Sequence, residues 1–321
     1  MAENLQRPPR TPLVPPGGID CQVRDLTVTA SADVTLDAIQ AQLAEHDQWV
    51  PIDGDGTATI GKLVQENSTG PLRLGFGAWR DILLGVQFLN GAGELITAGG
   101  RTMKNVAGYD LTKFMVGQRG VFGNPVALTM RTWRRPAGAL LATFPPQIRL
   151  FNALLVTTCR PQWALLSADA LHCGYLGDEA TISYCRQALL AHKPSDIAPR
   201  TMSEDVSCRA ALWGVPQTSE VKFRASLPPM KVQQLAQDAS IANWIADAAF
   251  GIVLGTAARS NAPAVARAAE ALGGSILLEM DGRCFTGRQR PSEREILVRL
   301  KHAFDPEGRL NPMIPPLPEL Q

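Results

Sequence analysis

Apolar and polar positions alternate in short runs along most of this chain, and the period changes often. Leu26 to Ala30 (Leu-Thr-Val-Thr-Ala) alternates and is rich in β-branched residues, which predicts a strand. Thr35 stands where a side-chain oxygen can cap a helix with the apolar stripe Leu36, Ile39 and Leu43. Gly85 to Ala98 predicts a hairpin turning at Asn90 to Gly93. Tyr109 to Val116 predicts a short helix, Gly117 to Gly123 a tight loop, and Val126 to Trp133 a further strand, with Pro136 closing the block.

The second half has another texture. Gly138 to Phe144 predicts a strand and Ile148 to Val156 a helix. Trp163 to Leu171 and Ala180 to Cys185 alternate as strands, with a helix following to His192. The polar, proline-containing stretch Lys193 to Ser207 predicts a surface linker. Beyond it come a strand over Val221 to Leu227, a helix over Pro229 to Ala239 and strand material over Asp247 to Thr256. A helix over Ala262 to Leu272, stopped by Gly273-Gly274, and a strand over Ser275 to Met280 complete the series. Strands and helices thus recur twice in a β-α-β-β order, compatible with an α+β domain on an antiparallel sheet. Residues 1–24, proline-rich at the start, predict an extended arm.

Charge narrows the function classes. Lys plus Arg number 31 and Asp plus Glu 30 in 321 residues, so the net charge of +1 gives no steering toward nucleic acid or anionic lipid. Arg131, Arg134 and Arg135 cluster at a strand end, where a solvated surface explains them. Cys21, Cys159, Cys173, Cys185, Cys208 and Cys284 form no C-x-x-C pair, and the four histidines are dispersed, so no metal site is expected. The polar opening lacks a signal-peptide core, and no run of about 18 apolar residues exists to span a membrane. A cytoplasmic protein with reduced thiols is the expectation.

Candidate chemistry concentrates where glycine does. Residues 70–123 hold 12 of the 28 glycines, and Gly99 to Gly123 mixes them with Lys104, Asn105, Tyr109 and Asp110. Such a mix suits a flat heterocycle with a pyrophosphate; a turn-rich protein whose glycines only permit tight turns explains it equally well. No G-x-G-x-x-G with a following acidic residue is present, which excludes a Rossmann dinucleotide site.

Met103-Lys-Asn-Val-Ala-Gly-Tyr-Asp-Leu111, preceded by Gly99-Gly100, resembles the signature of the glycolate oxidase FAD-binding subunit. That family belongs to the flavin-linked oxidases of the vanillyl-alcohol oxidase and cresol methylhydroxylase type. Gly77-Ala-Trp-Arg-Asp-Ile-Leu-Leu-Gly-Val86 and the loop carrying Gly117, Gly120 and Gly123 are similar to further family segments. So is Ala303-Phe-Asp-Pro-Glu-Gly-Arg-Leu-Asn-Pro312. The resemblance implies an α+β fold: an FAD-binding PCMH-type domain over residues 25–136, shortened at its front, and an α+β cap over 137–285. Residues 286–321 would return to the FAD domain. It implies that Gly61, Gly77, Arg80 and Asp81 lie along the cofactor or brace its loop. Asn105, Gly108, Tyr109 and Asp110 would sit near the flavin, and Gly117, Gly120 and Gly123 near the nucleotide half. It further implies non-covalent FAD and partners in a glycolate-oxidase-like complex, a flavin-linked catalytic subunit and an iron–sulfur subunit. The chain would meet the inner membrane only through them.

Three departures from the family bear on FAD. About 24 residues precede Leu26 where the family has a subdomain with a pyrophosphate loop, Ile60-Gly61 replaces paired glycines, and Asn124-Pro125 follows Gly123. Each lost charge-assisted hydrogen bond is worth about 1.5–3 kcal/mol. Weak FAD binding, or a flavin-less structural or regulatory subunit, is therefore the alternative. No catalytic base is identifiable from the sequence.

Overall fold

The computed structural model describes residues 11–100, 110–214, 221–238, 241, 243–287 and 291–318. Contacts divide the chain into two units. The first holds residues 1–69, 77–135 and 295–313, and the second 70–76, 136–294 and 314–321.

The first unit is a five-stranded antiparallel sheet with helices packed on it, of order β1-β2-β6-β4-β5. Its strands are β1 (Ile19–Gln22), β2 (Thr27–Ser31), β4 (Leu83–Leu89), β5 (Leu95–Gly99) and β6 (Asn124–Arg131). A separate two-residue pair, β3 (Gln48–Trp49) with β7 (Trp133–Arg134), completes its strands among the described residues. Helix α1 (Leu36–Ala44) starts as expected: the Thr35 hydroxyl accepts from the Ala38 amide, and Leu36, Ile39 and Leu43 are buried. The apolar face of the sheet, with Val28, Ala30, Val86, Phe88, Leu128 and Met130, packs on α1 and on α2 (Ile60–Glu66). The opposite face is polar and also buried: Thr29 and Thr129 share a hydrogen bond of 2.9 Å across β2 and β6. Gln87 donates to Thr97 there and accepts from the Leu13 amide, tying the N-terminal arm to the sheet. That arm also contributes β1, which its sequence did not announce.

The second unit is built on a nine-stranded sheet of order β11-β8-β10-β9-β13-β14-β12-β15-β16, antiparallel throughout its pairings. Strands β8 (Gly138–Phe144), β12 (Val221–Ser226) and β15 (Ser275–Met280) stand where alternation predicted them. So do α6 (Ile148–Leu155), α9 (Val232–Asp238) and α10 (Ala262–Ala271). The Asp247–Thr256 run splits into β13 (Trp244–Asp247) and β14 (Ile252–Ala257) around a turn, and β16 (Arg283–Thr286) is an added edge. The Trp163–Leu171 run divides into β9 (Trp163–Leu166) and the start of β10 (Leu171–Gly177).

Two readings of this half are corrected. Ala180 to Cys185 is not a strand but lies in α7 (Glu179–Leu189). The Asp178 carboxylate accepts from the Thr181 amide and starts the helix, so the 3.6 period of Ile182, Cys185 and Leu189 prevails over a local alternation. Lys193 to Ser207 is not a linker: it supplies the edge strand β11 (Asp196–Arg200) and opens α8 (Met202–Trp213). Thr201 and Glu204 there form a reciprocal capping box. The expectation of reduced thiols also fails at one place, because Cys159 and Cys185 are joined by a disulfide with their Cα atoms 5.5 Å apart.

Segment 70–76, carrying the short helix α3 (Arg73–Phe76), belongs to the second unit. Its Gly75 amide donates to the Gln162 carbonyl at 2.9 Å. A Cβ on Gly75 would stand 2.9 Å from the Gln162 side chain, so the close approach requires glycine.

Candidate functional site

The expected cofactor residues separate into three groups. Asn105, Gly108 and Tyr109 lie outside the described residues. Gly77, Arg80, Asp81 and Asp110 come together on the first unit. Gly61, Gly117, Gly120 and Gly123 turn out to serve the packing of that unit.

The second group is built by two short helices in contact, α4 (Trp79–Ile82) and α5 (Leu111–Phe114). Gly77 has φ +88°, and the chain doubles back so closely that a Cβ there would lie 2.7 Å from that of Asp81. Asp81 caps the turn, its carboxylate accepting from the Ala78 amide at 2.9 Å. Trp79 anchors the turn from inside: it is fully buried, and its indole N–H donates to the Ser68 carbonyl. Arg80 stays exposed, and its charge reaches Asp110. Asp110 caps α5, accepting from the Lys113 amide at 3.1 Å and pairing with the Lys113 ammonium at 3.0 Å. Partial burial pushes the Asp110 carboxyl up, but the Lys113 bonds and the charges of Lys113 and Arg80 outweigh it and hold it below the usual range. At the end of β5, Gly99 lies so close to the Leu84 carbonyl and Thr112 that only glycine fits, whereas no atom of the described residues stands within 4 Å of a Cβ placed on Gly100. Asp110 therefore feels the charges of both Arg80 and Lys113.

The third group has other duties. Gly61 sits in the first turn of α2, where a Cβ would fall 2.7 Å from the Ala32 carbonyl, and its amide donates to that oxygen. Ile60 beside it is fully buried in the core. Its side chain is therefore taken up by the packing of the core. A Cβ on Gly123 would meet the Phe88 ring at 2.5 Å, and one on Gly120 the Asn311 side chain at 2.6 Å. The loop amides are largely spent inside the protein. Gly117 donates to Val64, Arg119 to Gln65, Val121 to Gln118, and Phe122 to the Gln118 side chain. The missing amide of Pro125 falls beside a register shift between Gln87 and Phe88, where the ladder is already interrupted.

Sequence reasoning passed over Gln118 and Lys301. Gln118 is 7% exposed and spans the loop, donating to Gly123 and accepting from Phe122. Lys301 lies in α11 (Pro291–Phe304) and donates to the carbonyls of Val121 and Asn311 and to Asp305. Its i,i+4 spacing to Asp305 was the available signal.

Tested against FAD, this donor set suits the polar edges of a flavin nucleotide. For such a group Asp110 would be the acceptor and Arg80 and Lys113 the donors, and the amide oxygen of Asn67 is buried with no hydrogen-bond partner among the described residues. Asn67 closes α2 in the left-handed conformation beside Gly117. The Gly117–Gly123 loop does not form a phosphate cradle, since its glycines are filled by protein atoms and four of its amides are used. Among the described residues no group of three or more His, Cys, Asp or Glu could hold a metal, and no helix is long and apolar enough to cross a membrane.

Comparison with known proteins points to FAD as the cofactor. Residues 17–99 match the family described as FAD binding domain. Glycolate oxidase subunit GlcE of Escherichia coli (strain K12) is 36% identical over 128 residues, covering 39% of this chain and 36% of that protein. Glycolate oxidase subunit GlcD of Bacillus subtilis (strain 168) is 36% identical over 108 residues, 33% of this chain and 23% of that protein. The matches thus span about a third or less of these relatives' length. Among solved structures, an alkyldihydroxyacetonephosphate synthase superposes with a TM-score of 0.62 at 13% identity. It covers 90% of this chain and 65% of that one, a likeness of fold alone. Residues 17–99 therefore carry the sequence of an FAD-binding domain, FAD is the cofactor that this match supports, and over about a third of its length the chain is similar to glycolate oxidase subunits.

Proposed function

We propose that this chain is the FAD-binding subunit of a glycolate-oxidase-like complex and takes part in oxidising a 2-hydroxy acid such as glycolate. One observation carries the reading. Relatives of this chain are named for 2-hydroxy acids: glycolate oxidase subunits, D-2-hydroxyglutarate dehydrogenase and D-lactate dehydrogenase. FAD supplies the electron acceptor for such an oxidation. The chain's own part is to hold it non-covalently. Gly77 and Asp81 shape the α4 turn, Arg80 and Asp110 present charge, and Asn105, Gly108 and Tyr109 complete the site. Partners are a flavin-linked catalytic subunit and an iron–sulfur subunit, in the cytoplasm or at the inner membrane through those partners.

An absorbance spectrum of the purified chain, followed by FAD titration, tests this reading. A flavin band or saturable binding is expected. A colourless chain that ignores FAD would instead favour a flavin-less structural subunit of the same ancestry. The internally consumed amides of the Gly117–Gly123 loop lend that second reading its support.

A further inference from the structure

The hairpin between β4 and β5 turns on a chemically labile dipeptide, Asn90-Gly91. The backbone nitrogen of Gly91 can attack the carbonyl carbon of the Asn90 side chain, and with no side chain on the glycine nothing hinders the approach. The nitrogen gives up its proton, ammonia leaves, and one water then opens the cyclic imide to aspartate or isoaspartate. Packing obliges the glycine, because a Cβ placed there would lie 2.7 Å from the Asp305 Cα. The turn obliges the asparagine. Its side-chain oxygen accepts from the amides of Ala92 at 3.0 Å and Glu94 at 2.9 Å, and its Nδ2 donates to the Glu94 carboxylate at 2.9 Å.

Both reacting groups are held back. Those three bonds pin the Asn90 carboxamide toward Ala92 and Glu94. The Gly91 amide donates to the Phe304 carbonyl at 2.8 Å, so the attacking nitrogen serves the last residue of α11, whose carbonyl has no partner within the helix. The Phe304 ring is anchored in turn, stacked on Phe114 with centroids 5.4 Å apart and edge-on to Phe122 at 6.0 Å. Asp305, pressed against Gly91, accepts from Lys301 at 2.6 Å and from the amides of Arg309 and Leu310. All of these residues belong to the first unit.

We propose that Asn90 is a deamidation site kept silent by Phe304 and Asp305, and that its conversion records each release of that end of α11. This holds whether or not the chain carries FAD. The change is irreversible and alters the turn, since a carboxylate at position 90 would face that of Glu94 where an amide now donates.

The full chain is held folded in mildly alkaline buffer well below its melting temperature, and beside it unfolded in guanidinium chloride. Mass spectrometry follows peptides carrying Asn90 for the mass gained when an amide becomes an acid, and exchange of the Gly91 amide is measured in parallel. The folded wild type is expected to react roughly tenfold or more slowly than the unfolded chain. Lys301→Met, which loosens Asp305, should speed both Gly91 exchange and deamidation about twofold to tenfold. Arg299→Met, an exposed change on the same helix, should leave both as they are. Should Lys301→Met fail to fold, the wild type in guanidinium chloride below its unfolding transition gives the same reading, with the two rates rising together. Equal rates in the folded and unfolded chain overturn the proposal. So does a folded Lys301→Met chain that deamidates at the wild-type rate, and so do two rates that part company in the denaturant series.

Discussion

Among the described residues each unit holds an acid–base pair at i,i+4 spacing drawn away from water, and the two are used differently. In the second unit Asp205 and Arg209 pair on α8, with side chains 1% and 2% exposed. The Trp163 indole donates to Asp205 at 3.0 Å, and Gly174 leaves room for that indole. The pair sits inside one helix and one sheet, and its role is packing. In the first unit Lys301 and Asp305 pair on α11 and just beyond it, but their remaining bonds run to segments up to 180 residues away. Charge buried within an element fixes that element; charge buried between segments fixes a loop.

The comparison is broken most forcefully at Arg209. Arg209→Met leaves Asp205 charged and buried, and it should cost about 3–5 kcal/mol in denaturant unfolding. The double replacement of Asp205 and Arg209 by apolar residues should recover most of that, because no stranded charge remains. Reduction of the Cys159–Cys185 bridge, which closes a separation of 26 residues, should cost about 3 kcal/mol in the same assay. Gly174→Ala drives a methyl group into Trp163 and should cost about 1–3 kcal/mol, with an altered tryptophan emission. Thr201→Ala removes the α8 cap and should cost about 1 kcal/mol.

The first unit should answer chiefly to acid. Withdrawal from water pushes the Asp305 carboxyl up, but bonds from Lys301, Leu310 and Arg309 and the Lys301 charge bring it below the ordinary value. A carboxyl lowered on folding contributes stability that is complete above its unfolded pKa, near 3.8, and lost as pH falls through the lower folded value. Asp305→Asn should therefore flatten the stability profile below about pH 4 and leave its slope near neutrality unchanged. An unaltered acid limb in urea titrations would count against the pairing.

Much of the fold was legible because its signals are local. Thr35 with Leu36, Ile39 and Leu43 is an N-cap and a stripe within nine residues. Asn90 accepts from the amides of Ala92 and Glu94 and so makes the hairpin turn by itself. The α8 region was missed because its buried face carries Asp205 and Arg209 alongside Met202, which blurs the apolar period. The Thr201–Glu204 capping box was the clue on offer. The candidate site was legible in position and not in role. Glycine density marked the loop, but whether a glycine makes room for a ligand or for Asn311 depends on a residue 191 positions further along, beyond any local spacing.

That distance has a consequence for synthesis. The carbonyl of Arg119 leaves the ribosome well before its Asn311 partner, 192 positions later in the chain. At ordinary elongation rates the interval is roughly ten to forty seconds. The nascent first unit must wait through it with its loop unfastened, while residues 136–294 of the second unit are made. A truncation in that window beyond Arg131 would release a polypeptide with every strand of the first unit's sheet and an unfastened loop, open to proteases.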